Sequence, residues 1–375
     1  MAASFVSYHA CYNISYSIAK HSQYLSNLKL PKLDISRNGS TTTFTKLNAA
    51  TVSSITQVTE NVITKKEQTR QNIPTIKQFI DPHRQGLIIG DGVTYRQTVV
   101  IRSCEVGPDK TATLESILNL LQETALNHVW MSGLLGDGFG ATHGMTRNNL
   151  MWVVSRMQFK VDHFPIWGEV LKLDTWVGAS GKHGMRRDWE LRSQATGVVY
   201  ARATSTWVMM NQKTRRLSKM PDEVRAEISP WFTKKQTITE DTPEKIKKLD
   251  DTAKHATSSL QPKRSDLDMN HHVNNVKYVG WLLEAMPDKF MDEQQLSDII
   301  LEYRRECGSS DIIQSLSEPD EDNSISDESS GSLKGMQLKY THILQTKGEV
   351  KKEEIVRART TWRKKKHSNI QFPMY

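Results

Sequence analysis

The sequence is poor in cysteine and has no long apolar run. Its three cysteines, Cys11, Cys104 and Cys307, are odd in number and far apart along the 375 residues. This usage argues against a disulfide framework and favours a reducing compartment. Because no run of about eighteen apolar residues occurs, we expect no transmembrane helix. No group of Cys and His has the spacing of zinc ligands, and we expect neither a metal nor a cofactor.

Acidic residues are scarce only near the start of the chain. Residues 1–86 hold ten Lys and Arg against four Asp and Glu, and so carry +6 of the formal net charge of +8. The rest of the chain carries only about +2. The excess charge therefore belongs to the N-terminal segment. No nucleic-acid-binding motif accompanies it, so we do not expect the protein to bind nucleic acid.

The first 50 residues have the composition of a targeting segment. They contain one acid, Asp34, with five Lys and Arg and twelve Ser and Thr. An acid-poor, hydroxyl-rich N-terminus without an apolar signal-peptide core predicts an organelle transit peptide. We place it in a variable segment at 1–68. The alternative is a polar tail that carries no address.

Two pairs of short segments indicate an internal duplication. Arg202–Trp207 and Arg357–Trp362 share the pattern Arg-Ala-x-Ser/Thr-Thr-Trp, 155 residues apart. Leu120–Ala125 and Leu282–Ala285 form a second pair, 161 or 162 residues apart. Two matches at nearly the same offset predict a duplicated domain, with a period too long for a solenoid.

Each half predicts one helix followed by strands. Apolar residues at helical spacing predict a helix over 112–134 and another over 275–286. Alternating or β-branched runs predict strands at 150–162, 169–177, 185–192 and 198–210, and then at 299–307, 336–344 and 353–362. From the pattern alone, this is an α+β fold with repeated halves.

Two polar stretches separate the predicted elements. Residues 233–259 contain few large apolar side chains and are interpreted as a linker. Residues 317–332 contain six acids, many serines and no Lys or Arg. This second stretch predicts a solvated loop inserted between strands of the second half.

The segment Ser265–Tyr278 packs two carboxylates, three amides and two imidazoles next to the second predicted helix. Asp268, Asn270 and His272 alternate, so an extended backbone would send all three side chains to one side. Free N–H groups at the start of the helix could then face a carbonyl oxygen. These are groups that hydrolysis at a carbonyl carbon needs. The alternative is that the Asp and Asn residues cap the helix.

The first half lacks such a polar set, and we interpret it as the part that holds a substrate. Its helix and strands supply apolar and aromatic surface for an apolar ligand. Ordinary core packing is the alternative for each residue. The candidate binding residues are Leu118, Leu121, Met131, Trp152 and Trp176.

Several sequence blocks, in fixed order between about Gln85 and Trp362, match the motifs of a known enzyme family. They are Gly133–Phe139, Leu150–Met157, Met185–Trp189, Trp207–Asn211, Arg215–Pro221, Asp268–Asn275 and Leu301–Gly308. Together they closely resemble the plant acyl-acyl carrier protein (acyl-ACP) thioesterases. Within these they are most similar to the FatB type, which favours saturated chains.

The resemblance implies two hot dog domains in tandem, each a long helix wrapped by an antiparallel sheet. The N-terminal domain, 85–232, would hold the acyl chain, and the C-terminal domain, 260–365, would be catalytic. The implied reaction is hydrolysis of long-chain acyl-ACP to free fatty acid in the plastid stroma, which ends chain elongation. Alternatives are an acyl-coenzyme A thioesterase, a hot dog dehydratase and a non-catalytic protein that binds acyl chains or the carrier.

The resemblance also implicates Glu306 and Cys307 in catalysis. In one scheme Cys307 is the nucleophile, with His272 as its base and Asn270 orienting the imidazole. In the other, Glu306 or Asp268 activates water and Asn270 helps to hold the oxyanion. If the predicted strand continues to residue 307, Glu306 and Cys307 face opposite sides and only one can enter the site. We favour Glu306 and water.

Acyl-ACP is the expected partner as well as the substrate. An acidic carrier protein could meet basic side chains electrostatically, although scattered surface charge explains these residues equally well. A homodimer is a further expectation. The basic candidates are Arg186, Arg187, Arg215, Arg216, Lys219 and Arg225.

Overall fold

The computed structural model describes Arg84 and residues 86–136, 140–239, 245–269, 271–320, 337–347 and 352–365. The predicted transit segment at 1–68 and the candidate Asn270 lie outside the described residues. So does most of the acidic stretch at 317–332. Within the described ranges, no helix combines the length and hydropathy needed to cross a bilayer.

The first half contains three helices and seven strands among the described residues. These are β1 (Gly86–Ile88), β2 (Tyr95–Val100), α1 (Leu114–Met131), α2 (His143–Arg147), β3 (Leu150–Val161), β4 (Val170–Ser180), β5 (Gly184–Ser193), β6 (Val199–Asn211), β7 (Leu217–Ser218) and α3 (Asp222–Ile228). Helix α1 and strands β3 to β6 confirm the predicted elements within a few residues.

The second half repeats the pattern with shorter helices. Its described elements are β8 (His255–Leu260), α4 (Asn275–Leu283), α5 (Asp288–Glu293), β9 (Gln294–Tyr303), β10 (Ile313–Pro319), β11 (Leu338–Thr346) and β12 (Glu354–Lys364). The sequence predicted α4, most of β11 and β12, and the second half of β9. It missed β8 and β10.

Helix α1 is the long helix of the first half. It begins after Thr113, whose side-chain oxygen accepts the Ser116 N–H at 3.1 Å and satisfies a donor that the helix leaves free. Trp189 of β5 donates from Nε1 to the Leu121 carbonyl at 3.0 Å, which ties the helix to the sheet. Full burial of each large apolar side chain contributes about 1.5–3 kcal/mol. Four such side chains recur at helical spacing: Leu114, Ile117, Leu118 and Leu121.

All strands except β7 follow one antiparallel path, in the order β1-β2-β4-β5-β6-β3-β9-β12-β11-β10-β8. The strands β2-β4-β5-β6-β3 of the first half correspond to β8-β10-β11-β12-β9 of the second, in mirrored order. The halves join where β3 pairs with β9, with Met157 opposite Leu301 and Phe159 opposite Ile299. One continuous sheet therefore runs through both halves.

The sheet explains the repeated Arg-Ala-x-Ser/Thr-Thr-Trp pattern. Residues 202–207 lie in β6 and residues 357–362 lie in β12. These two strands occupy equivalent places, since β6 pairs with β3 and β12 pairs with β9. The predicted duplication is thus present in the fold.

Three predicted boundaries differ from the structure. Strand β9 ends at Tyr303, so residues 304–307 are irregular and strand alternation does not apply to Glu306 and Cys307. Strand β10 extends to Pro319 because Ser317 and Glu318 pair with His342 and Thr341 of β11. The predicted linker at 233–259 includes most of β8, whose polar side chains gave no period-two signal.

Candidate active site

A cavity of about 520 Å³ extends from α1 and the first half of the sheet to the start of α4 and the segment after β9. Three predicted binding residues, Leu118, Leu121 and Trp152, line it. The candidates Asp268, His272 and Glu306 line it too. The structure therefore brings the apolar residues of one half and the polar residues of the other to a single cavity.

Met131 and Trp176, the other two predicted binding residues, are buried outside the cavity lining. The Trp176 indole donates from Nε1 to the Lys235 carbonyl at 2.9 Å. Its ring lies 3.8 Å from the Lys235 ammonium. Strand alternation explains the difference, because Trp176 on β4 alternates with the lining residue Val177.

Asp268 and His272 lie at the two ends of a tight loop. The Asp268 N–H donates to the His272 carbonyl at 2.7 Å, and the His272 N–H donates to Asp268 Oδ1 at 3.2 Å. His271, between them, has a φ of +61°. The prediction of an extended segment is therefore wrong. Asp268 and His272 nevertheless both line the cavity, because the loop closes on itself.

The first half contains the same loop with different side chains. Its Gly107 N–H donates to the Thr111 carbonyl at 2.9 Å, as Asp268 donates to His272. Lys110, with a φ of +62°, occupies the place of His271. Each loop is closed by a bridge, Val106 to Ala112 in one half and Leu267 to Val273 in the other. At the places of Asp268 and His272 the first half has Gly107 and Thr111, so this pair of a carboxylate and an imidazole is present only in the second half.

Helix α4 begins directly after this loop. Asn274 caps it, since its Oδ1 accepts the Val276 N–H at 3.0 Å. The capping alternative is therefore correct for Asn274. The Asn275 N–H, at the first helical position, has no partner among the described residues. Both asparagines line the cavity, so the N-terminus of α4, with its positive dipole end, lies at the cavity wall.

Glu306 is held by two basic groups. Its Oε2 lies 3.3 Å from His272 Nδ1 and forms an ion pair with Arg215. Arg215 belongs to the turn after β6 and also contacts the Met151 sulfur at 3.2 Å. Arg215 was predicted to meet the carrier protein or to be scattered surface charge. Its partner Glu306 lies 91 residues further on, so no local pattern could indicate this pairing. A carboxylate, an imidazole and a guanidinium thus meet at the cavity mouth.

Cys307 lies beside the cavity rather than in its lining. Its side chain is buried, and its Sγ lies 3.5 Å from Tyr278 Oη. Burial raises the pKa of the Cys307 thiol to about 11, so the thiol is protonated at neutral pH. A nucleophilic cysteine needs the opposite shift. This environment is that of a structural thiol.

In the described part of the chain, no three His, Cys, Asp or Glu side chains are grouped as metal ligands. The carboxylates that line the cavity, Asp268 and Glu306, instead face an N–H donor of the loop and the basic groups His272 and Arg215.

Two helix-and-sheet units that share one sheet, and one apolar cavity with a carboxylate and an imidazole at its mouth, define a tandem hot dog thioester hydrolase. Residues 92–228 match the family model described as "Acyl-ACP thioesterase N-terminal domain", and residues 249–364 match "Acyl-ACP thioesterase C-terminal domain". The chain belongs to the acyl-ACP thioesterase family and is an acyl-ACP hydrolase.

Named relatives agree with this assignment. The chloroplastic palmitoyl-acyl carrier protein thioesterase of Gossypium hirsutum is 50% identical over 76% of this chain and 68% of its own length. The Arabidopsis thaliana protein of the same name is 48% identical over the same shares. The structure of the 12:0-ACP thioesterase from Umbellularia californica is similar with a TM-score of 0.66 and 43% identity, over 73% of this chain and 95% of that one. The chloroplastic names support plastid localisation.

Proposed function

We propose that the chain hydrolyses long-chain, saturated acyl-ACP, with water as the nucleophile. One observation carries the proposal: a single cavity joins the apolar wall of α1 and β3 to Glu306 and His272 at its mouth. An acyl chain in the cavity would place its thioester beside these two groups. The palmitoyl and 12:0 relatives named above act on saturated chains, which supports the same class of substrate here.

Glu306 is the general base in this proposal. Its Oε2 is occupied by Arg215 and His272, whereas Oε1 accepts no hydrogen bond from the described residues. Oε1 can therefore take a proton from water, and the resulting hydroxide attacks the thioester carbonyl. Asp268 is the alternative base because it lines the same cavity. His272 assists by orienting the Glu306 carboxylate.

The oxyanion is held by backbone and side-chain donors. The Asn275 N–H at the start of α4 supplies one donor, reinforced by the helix dipole. Asn270, which lies outside the described residues, is proposed as a second. When the tetrahedral intermediate collapses, the C–S bond breaks and the carrier's thiolate takes the proton that Glu306 received. The products are a free fatty acid and the carrier thiol.

A substrate panel tests the proposal. The purified chain from residue 85 onwards is assayed on acyl-ACP, acyl-coenzyme A and hydroxyacyl-ACP over several chain lengths. We expect the highest kcat/KM on saturated long-chain acyl-ACP. A preference for acyl-coenzyme A, or dehydration of hydroxyacyl-ACP, would favour one of the other enzyme classes.

Small-to-large changes in the cavity should alter chain-length preference. Leu118→Phe narrows the cavity wall on α1, and we expect the preferred acyl chain to become shorter. Each methylene crowded out corresponds to about 1–3 kcal/mol of discrimination in an apolar pocket. The measurement is the product profile on mixed acyl-ACP, with Met131→Phe as the control outside the lining. An unchanged profile with reduced thermal stability would contradict the assignment of the cavity.

Exposed basic residues beside the cavity mouth are proposed to meet the carrier protein. Leu217, 70% exposed, lines the mouth, and Arg216 and Lys219 are exposed next to it. Partial burial and the nearby cations, led by Lys182, lower the pKa of His183, which indicates a locally positive field. Three predicted docking residues fit less well: Arg187 is buried, Arg186 pairs with Asp188, and Arg215 pairs with Glu306.

Charge reversal tests this surface. Arg216→Glu with Lys219→Glu should raise KM for acyl-ACP by about tenfold at low salt and flatten or reverse the rise of KM with salt, because attraction to an acidic carrier is lost. Hydrolysis of an acyl-pantetheine analogue that lacks the carrier should be unaffected. Lys289→Glu, an exposed residue on α5, is the matched control. If KM rose equally for acyl-ACP and for the acyl-pantetheine analogue, the substitutions would have disturbed the cavity and not the docking of the carrier.

Import into the plastid stroma is proposed for the N-terminal segment. A reporter fused to residues 1–80 should enter plastids, and removal of residues before about Thr69 should leave activity intact. Fluorescence imaging and an assay of the truncated chain measure the two effects. A reporter that stays in the cytosol would refute the targeting role. The homodimer also stays a prediction, which light scattering would check.

A further inference from the structure

Arg187 is a buried cation in the wall of the cavity. Its side chain is only 4% exposed, yet it lines the cavity together with His128 and Trp231. It sits on β5 opposite Ser205 of β6, which in turn lies opposite Met157 of β3. Met157 faces Leu301 of β9, so Arg187 lies three strand spacings from β9, roughly 14 Å. Because Glu306 follows β9, Arg187 belongs to a part of the cavity wall remote from Glu306, which we call the inner end.

The guanidinium of Arg187 has no carboxylate partner among the described residues. Its Nη1 lies 3.1 Å from His128 Nδ1 and 3.2 Å from Thr175 Oγ1. Burial lowers the pKa of His128 well below its ordinary value, so the imidazole is neutral and its Nδ1 accepts. Asp188, the next residue, faces the other side of the sheet and pairs with Arg186 at 2.7 Å. The Arg187 Nε and Nη2 groups keep unused donors.

A second donor without a partner lies at this end. Trp231 is buried, and its Nε1 has no partner among the described residues. Among the described lining residues the carboxylates are Asp268 and Glu306, both at the mouth. Unpaired buried donors are costly, and the cost is greater when they belong to a charged group such as the Arg187 guanidinium. The inner end thus has the chemistry of a site for an oxygen acceptor.

We propose that this inner end binds an oxygen atom at the ω end of the acyl chain, so that the enzyme also hydrolyses ω-hydroxy and ω-carboxy acyl thioesters. The inference rests on the proposed function, because it requires the acyl chain to fill this cavity. The Arg187 guanidinium donates charge-assisted hydrogen bonds to the terminal oxygen. Trp231 Nε1 adds a neutral donor. The thioester, at the other end of the chain, reacts at Glu306 as before.

Relative kcat/KM values for plain and ω-hydroxy acyl-ACP test the subsite on the full-length chain, over lengths from dodecanoyl to palmitoyl. A wholly apolar pocket end rejects an added hydroxyl by about a hundredfold. We expect the wild type to accept the best ω-hydroxy chain within about tenfold of its plain counterpart. Arg187→Met, which removes the donors but keeps a long side chain, should bring back rejection of about a hundredfold.

A matched pair of tryptophan variants separates the subsite from general damage. Trp231→Phe removes an unpaired donor and should lower the ω-hydroxy to plain ratio. Trp189→Phe removes a donor already bonded to the Leu121 carbonyl and should leave the ratio unchanged. If Arg187→Met fails to fold, the wild-type ratio and this pair decide the question.

The outcomes distinguish the two proposals. Rejection of ω-hydroxy chains by about a hundredfold in the wild type overturns the subsite, as does an Arg187→Met variant that folds and keeps the wild-type ratio. Either result leaves hydrolysis of plain acyl-ACP intact. Failure to hydrolyse any plain acyl-ACP overturns the proposed function, and the subsite with it.

Discussion

Replacing Glu306 with Gln is expected to lower kcat on acyl-ACP by at least about a hundredfold, the scale of a lost general base. The amide keeps the shape of the side chain but cannot take a proton from water. Substrate binding should change little, because the acyl chain contacts the apolar wall elsewhere in the cavity. Steady-state kinetics with palmitoyl-ACP measure kcat and KM separately, and circular dichroism verifies the fold.

Cys307→Ala is the control for that result. The Cys307 thiol is buried against Tyr278, and burial raises its pKa. Its removal should therefore lower the free energy of unfolding and leave kcat largely unchanged. We expect the variant to keep substantial turnover. An acyl group trapped covalently on Cys307 in the wild-type enzyme would overturn the choice of water as the nucleophile.

Asp268→Asn should also lower turnover by at least about a hundredfold. The reason is chemical rather than structural, because Asn retains the side-chain oxygen that accepts the His272 N–H at 3.2 Å. The loop should therefore keep its shape while the negative charge of Asp268 at the cavity is lost. The measurement is kcat with acyl-ACP, together with the thermal midpoint of unfolding.

His271→Asn is the matched control in the same loop. His271 has a φ of +61°, a conformation that Asn tolerates better than most residues, and it lies outside the cavity lining. This variant should keep nearly full activity. If both loop variants lost activity equally, the loop would matter for its shape and not for the Asp268 carboxylate.

Local patterns in the sequence predicted the repeated elements because helices and strands have short periods. The period of α1 and the matching blocks in β6 and β12 are local signals of this kind. The sequence predicted that the Asp268 and His272 side chains lie on the same side, but it predicted an extended backbone in place of the loop. An extended segment and a closed loop both bring these residues to one side. The hydrogen bond from the Asp268 N–H to the His272 carbonyl and the positive φ of His271 show that the loop is closed.

Contacts between segments far apart in the chain could not be predicted from local sequence patterns. Arg215 and Glu306 are brought together by the pairing of β6, β3 and β9, and no local pattern encodes that register. Arg187 follows Arg186 in a run of charged residues, so the sequence predicted a surface position for both side chains. Strand alternation separates the two side chains, because one faces Asp188 and the other faces the cavity.

The join between β3 and β9 limits how this enzyme can be recombined with others. Cutting between the halves would expose two long strand edges, and exposed edges invite aggregation. A chimaera that takes its acyl specificity from one parent and its chemistry from another must therefore preserve the register of residues 156–160 against 298–302. Halves from two parents can be combined only if their β3 and β9 edges match, so the double domain is best exchanged as a whole.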